Sequence, residues 1–255
     1  MKIANGSFPM DWDEEKHKLT IGGSTIASSV RKLSDMVPVL YDKAFAKSAD
    51  LDCIYYYMHR GVKKAEDAGK FSQYRRRYDV TVVPPATLGK EFVKTIGHYH
   101  ELSPAKGHFS FPELYEVLSG TAHFLLFKRK FEAGKDIDDR IDDAILLEAK
   151  AGEKAFMPPN YGHIMINPSE ETLVTCNLVE WKFKSIYEPV AKLGGGPYFE
   201  LANGSVEKNS NYAQVPAIRR VDAADYGPTL SLGLTQSPAY DSFVKDPSKF
   251  GFLEP

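Results

Sequence analysis

The segment from Leu114 to Trp181 constrains the fold most strongly, because it is a succession of short β-type runs, each stopped by turn residues. Leu114–Lys128 reads as two strands joined at Ser119-Gly120, a hairpin signal. Ala144–Glu148 and Lys154–Met157 flank the turn at Ala151-Gly152, and His163–Asn167 and Leu173–Trp181 complete the set. Upstream, Cys53–Met58 and Tyr78–Pro84 are aromatic and β-branched, and the second run stops at Pro84 and Pro85. Evenly spaced short strands separated by turns close into an antiparallel sandwich or barrel. Before them, Leu33–Lys47 is expected to hold a short helix, and between them Gly61–Gly69 a helix-like stretch or loop. Phe131–Asp143, with Gly134 and a run of acids, is expected to be a solvated loop.

At 255 residues and 43% hydrophobic, the chain can bury a full core as one enlarged domain. Its 32 basic and 34 acidic residues nearly cancel, which gives no sign of nucleic-acid or membrane-surface binding. Cys53 and Cys176 both sit in apolar runs and are expected to be buried free thiols. The opening MKIANGSFPMDWDEEKHKLT has no apolar signal core and no run approaches a membrane span, so a cytoplasmic location is expected.

Residues 97–120, GHYHELSPAKGHFSFPELYEVLSG, gather ligand-type side chains at the entrance to a strand. Residues i and i+2 of a strand share a face, so His98 and His100 present two imidazoles side by side. Such a pair suits zinc or iron, and a carboxylate from Glu101, Glu113 or Glu116 would extend it. His163 is a further candidate ligand. His17, His59, His108 and His123 lie in no such pattern, and Arg75-Arg76-Arg77 reads as a solvated strand edge.

The order H-x-H, E-x6-G (Glu113 to Gly120), then G-x5-P-x4-H-x3-N (Gly152, Pro158, His163, Asn167) resembles the two signature motifs of the cupin superfamily. Asn160 stands where many cupins have glycine and also tolerates a left-handed backbone. Four further segments, SVRKLSDM from Ser29, TVVPP from Thr81, GKEFVKTIGHYH from Gly89 and MPPNYGH from Met157, resemble the cupin-type glucose-6-phosphate isomerases. That resemblance covers roughly residues 25–205.

The resemblance implies an all-β fold: a double-stranded β-helix, or jelly-roll-like barrel, with small helical additions and extended termini. An N-terminal extension, 1–50, would pack on a barrel formed by 51–208, and 209–255 would lie over the barrel or a partner subunit. It implies one divalent metal ion per subunit, Fe2+ before Zn2+, Mn2+ or Ni2+, held by His98, His100, Glu113 and His163. Thr81, Thr95 and the backbone of Gly97 match the family's phosphate-binding positions, and Tyr161 and Tyr187 are candidate sugar contacts. The implied partners are a phosphosugar and a second copy of the chain. Glu113 is a candidate base or a plain metal ligand, and Tyr115, on the same strand face, is a candidate hydrogen-bond partner for sugar hydroxyls or a core residue.

The implied reaction interconverts glucose 6-phosphate and fructose 6-phosphate through an enediol. Alternatives are an isomerase of mannose 6-phosphate, an Fe(II) dioxygenase, and a non-catalytic sugar-binding barrel. Three departures stand out. The His100–Glu113 gap is longer than in the family, and its residues Ser103–Phe111 are read as a lid or a surface loop. Val179 and Ser185 fall where the family has a tyrosine and a histidine.

Overall fold

Strand alternation builds two sheets with the core between them. The computed structural model describes residues 1–234 and 237–254. In chain order the strands are β1 Lys2–Ile3, β2 Met10–Asp13, β3 Lys18–Ile21, β4 Ser24–Thr25, β5 Ser29–Lys32, β6 Ile54–His59 and β7 Arg76–Val83. There follow β8 Thr87–Leu88, β9 Glu91–Phe92, β10 Tyr99–His100, β11 Glu113–Ser119, β12 Thr121–Glu132, β13 Lys135–Lys150, β14 Lys154–Met157 and β15 Tyr161–Ile166. The last are β16 Leu173–Glu180, β17 Ser185–Ile186, β18 Tyr198–Glu200, β19 Val206–Lys208 and β20 Arg219–Asp222.

The larger sheet runs β14-β11-β16-β7-β6-β5 and the smaller β15-β12-β13-β20. Every pairing in them is antiparallel except β13 with β20. From β11 to β16 the chain crosses from one sheet to the other again and again, which is how a jelly-roll-like barrel closes. The all-β, jelly-roll-like architecture expected from sequence is the one observed. Among the described residues, no helix is long and apolar enough to cross a membrane.

Between the sheets lie Tyr115, Val117, Phe124, Leu126, Ile145, Leu147 and Met165. A second apolar cluster covers the outer face of the larger sheet, where Tyr78, Val80, Val82, Val174, Cys176 and Leu178 meet Phe8, Trp12, Leu19, Tyr240, Phe243 and Phe250 from the two ends of the chain. β16 is therefore buried along its whole length. A strand covered on both faces reads as a nearly unbroken apolar run, as LVTCNLVE does. Full burial of each such large side chain contributes about 1.5–3 kcal/mol. The segment after Asn209 supplies β20, parallel to β13, and a helix at Ala239–Lys245. Its Ala239 N–H donates to Glu116 Oε2 at 2.7 Å and its Tyr240 hydroxyl to Asp67 Oδ2 at 2.8 Å. At the other end, β5 is hydrogen-bonded to β6, so part of the 1–50 segment belongs to the larger sheet.

Several local expectations are corrected. Phe131–Asp143 is not a loop: β12 and β13 continue through it and turn at Ala133-Gly134, whose φ angles are +52° and +81°. Arg129 holds Asp136 and Asp138 at 2.6 Å each, so acids that looked solvated pair with an arginine on the neighbouring strand. The helix expected in Leu33–Lys47 stops at Met36, because Pro38 follows, and gives way to short 3-10 turns. Cys53 is exposed and only Cys176 is buried; both are free. The arginine run is not a solvated edge: Arg75 is exposed, but Arg76 and Arg77 belong to β7, which lies inside the sheet between β16 and β6. Arg76 is buried and pairs with Glu254 at 3.0 Å, while Arg77 points into the barrel.

Candidate metal centre

Parity along the strands decides which side chains meet. On β11, Glu113, Tyr115 and Val117 face the barrel interior, while Leu114 and Leu118 face the second cluster. Glu116 shares that outer side: it pairs with Lys154 at 3.2 Å and accepts from Ala239, so it is excluded as a ligand. Glu101 is excluded too, its Oε1 accepting from the Lys184 N–H. β10 carries His100, and an isolated bridge sets His98 opposite His163 on β15. Among the described residues, His98, His100, Glu113 and His163 bring one ligand-type atom each within 4.8 Å of one another. The longer gap after His100 thus still returns the chain to a ligand carboxylate.

The ring orientations are fixed from outside the cluster. His100 Nδ1 lies 2.7 Å from the Phe111 carbonyl, so Nδ1 carries the proton and Nε2 keeps its lone pair. Asn177, on the neighbouring β16, donates to Glu113 Oε1 at 2.6 Å. That leaves Glu113 Oε2 turned to the imidazoles, 3.3 Å from His100 Nε2 and 3.2 Å from His163 Nε2. Glu113 Oε2 and His100 Nε2 are buried without a satisfying hydrogen-bond partner. Orphaned buried acceptors are costly, and a shared cation removes that cost.

The charge states suit the same reading. Burial pushes the His98 imidazole well below its ordinary range, helped by His163 and His100, and burial also pushes His163 down. Both rings are therefore neutral and able to coordinate. Burial pushes the Glu113 carboxyl up, but the neighbouring imidazoles of His100 and His163 outweigh it and hold it below the usual carboxylate range. Neutral imidazoles and one carboxylate fit a borderline divalent cation.

The cluster opens into a pocket of the barrel interior. Thr81, Thr95, Gly97, Tyr115 and Tyr187 line it. Thr95 Oγ1 accepts from the Met165 N–H at 3.0 Å, which leaves its hydroxyl proton free to donate. Gly97 has φ +82°, and a Cβ there would stand 2.3 Å from Ile164 Cγ1, so only glycine fits. Tyr115 Oη is 3.4 Å from His163 Nε2. Burial pushes its phenol pKa well up, so it stays a donor.

Tyr161 is a correction: it does not line the pocket. Its hydroxyl donates to Asp143 Oδ2 at 2.8 Å, a carboxylate also paired with Arg219. Ser185 lines the pocket beside Phe183, whose ring packs 4.2 Å from that of His100. The 103–111 segment is anchored at its end: Ser110 and Asn160 exchange two hydrogen bonds of 2.8 and 2.7 Å, and Phe111 holds His100. Asn160, at φ +69°, takes the left-handed conformation expected of it.

Sequence reasoning missed Asn177, Asp79 and the pocket arginines Arg60 and Arg77. Asn177 was discoverable as the one amide inside the apolar run of β16. Arg77, Asp79 and Thr81 were discoverable as alternate residues on one strand face.

Residues 30–217 match the family model described as Glucose-6-phosphate isomerase (GPI). The chain belongs to that enzyme family. A glucose-6-phosphate isomerase of Thermococcus litoralis is 26% identical over 184 residues, covering 72% of this chain and 85% of the relative. Another family member, from Thermococcus gammatolerans, is 30% identical over 146 residues, covering 57% and 65%. Among solved structures, oxalate decarboxylase from Bacillus subtilis overlaps 51% of this chain and 28% of that one, at 16% identity and a TM-score of 0.32. An overlap that weak adds nothing to the fold already described. Within the family match fall all four candidate ligands and Thr81, Thr95 and Gly97.

Proposed function

We propose that this chain is a metal-dependent aldose–ketose isomerase that interconverts glucose 6-phosphate and fructose 6-phosphate. The observation that carries the reading is the convergence of His98, His100, Glu113 and His163 at the end of a pocket also lined by Thr81, Thr95 and Gly97, in a member of the glucose-6-phosphate isomerase family.

The four residues would hold one divalent cation, with Fe2+ the first choice and Zn2+, Mn2+ or Ni2+ also suited to the donors. Bound there, such an ion supplies Lewis acidity toward the negative charge that builds on oxygen when a C–H bond next to a carbonyl is broken. Glu113 takes that proton from one carbon and returns it to its neighbour. Asn177 aims the carboxylate by fixing Oε1. Tyr115 donates to a sugar oxygen and Tyr187, on the opposite wall beside His98, packs along the sugar. Thr81, Thr95 and the Gly97 N–H receive the phosphate at a distance from the reacting carbons. Met58, Met165 and Phe183 narrow the pocket and exclude water.

By the same resemblance we propose a homodimer acting in the cytoplasm, checked by its mass in solution. The catalytic reading is tested by stripping the protein with chelator, reloading it with each of the four metals and supplying fructose 6-phosphate. Glucose 6-phosphate should appear with at least one metal. Absence of turnover with all of them overturns the proposal.

A further inference from the structure

With Glu113 set aside, since it is turned to the imidazoles, the pocket is lined by two guanidinium groups and one carboxylate, those of Arg77, Arg60 and Asp79. Arg77 is committed elsewhere: its Nε donates to both Asp79 oxygens at 3.0 and 2.8 Å and its Nη1 to the Trp181 carbonyl at 3.1 Å. The Phe183 ring flanks it, 5.5 Å from the guanidinium carbon. Asp79 is further satisfied by the Gly61 N–H at 2.8 Å. Arg60 is held by little. Its Nη1 stands 3.6 Å from Asp79 Oδ2 and its Nη2 3.6 Å from the Met58 sulfur, and its side chain is 46% exposed at the pocket mouth. With Asp79 matched by Arg77, one positive charge at the pocket has no firm partner.

We propose that Arg60 is a further substrate-binding residue, the cation that meets the phosphate of the bound sugar; this rests on the isomerase reading above. The register sets the distance. On β6 and β7, Met58 pairs with Thr81 and His59 with Val80, so Arg60 follows opposite Asp79, on the face that Met58 and Thr81 share. Arg60 is therefore a diagonal neighbour of Thr81, with Cβ atoms on the order of 7–8 Å apart, inside the reach of an arginine. Thr81, Thr95 and Gly97 offer hydroxyls and an N–H group but no charge. A phosphate monoester carries about −1.5 to −2 at neutral pH and binds best to a planar guanidinium fork. Arg60 exchanges two long contacts for charge-assisted bonds to phosphate, while Arg77 stays on Asp79 and keeps that carboxylate from repelling the ligand.

The test compares wild type, Arg60→Met and Arg60→Lys by calorimetric titration with inorganic phosphate, alongside KM for fructose 6-phosphate and bound-metal content. Arg60→Met should weaken phosphate binding and raise KM by about tenfold or more, with metal content unchanged, and Arg60→Lys should recover part of the loss. Phosphate affinity of Arg60→Met within about twofold of wild type overturns the proposal, as does a wild type that binds no phosphate. If wild type binds phosphate but turns over no fructose 6-phosphate, the isomerase reading falls and the calorimetric comparison still decides the role of Arg60.

Discussion

Asn177 donates a 2.6 Å hydrogen bond to Glu113 Oε1 across the β16–β11 pair, and this contact turns the other carboxylate oxygen to the imidazoles. Removing the amide frees the carboxylate to rotate out of the ligand set. Asn177→Ala should weaken metal binding about 10–100-fold, the usual cost of losing an outer partner of a ligand. Titration of the chelator-stripped protein with Zn2+ checks it. Affinity within twofold of wild type would remove Asn177 from the account.

Proton transfer by Glu113 has an isotopic signature. If the carboxylate carries the hydrogen between carbons, turnover of fructose 6-phosphate in deuterated water should leave deuterium at C2 of the product. Mass spectrometry reads it directly. Product still free of deuterium after prolonged turnover, when any proton held on the carboxylate has had time to exchange with solvent, would mean a direct hydrogen shift, and Glu113 would then be a ligand only.

A pH-dependent ion pair sits on the far side of the barrel. His123 Nδ1 lies 2.9 Å from Glu200 and its Nε2 3.2 Å from Glu148. Burial alone would lower the ring's pKa, but the bonds and charges of Glu200 and Glu148 prevail and raise it. A folded pKa above the unfolded value gives stability that is fully present below about 6.5 and fades as pH rises through the folded value. His123→Gln should therefore lower Tm by about 2–4 °C at low pH and by less at alkaline pH. Thermal melts across that range check it, and a difference that grows with pH would contradict it.

The C-terminal segment is part of the fold. Phe243 is fully buried against Phe71 and Phe250, at ring distances of 4.8 and 5.4 Å. Phe243→Ala should cost about 3–5 kcal/mol in denaturant unfolding. A loss below about 1 kcal/mol would mean that the segment packs only loosely on the sheet.

Period-two alternation carries local information well, and the ligand set is local in that sense. His98 and His100 share a face by spacing alone, and the spacing of Glu113 to Gly120 and of Gly152 to His163 marks the other two ligands. The contacts that orient those ligands were harder to read, since Asn177 meets Glu113 only through a pairing of strands 64 residues apart. The arginine run misled because burial depends on where a strand lies in its sheet, and β7 is internal. The acids of β13 misled because charges that pair between strands look, along the chain, like a solvated loop. The tail had no visible period because its apolar residues come from a short helix and 3-10 turns that cover a sheet face already complete in hydrogen bonding.

Protein reloaded with Fe2+ and crystallised should give, in an anomalous difference map at the iron edge, one peak per chain about 2.0–2.2 Å from a nitrogen of each of His98, His100 and His163 and an oxygen of Glu113. A map with no peak there, or with the ion held by other residues, would contradict the account.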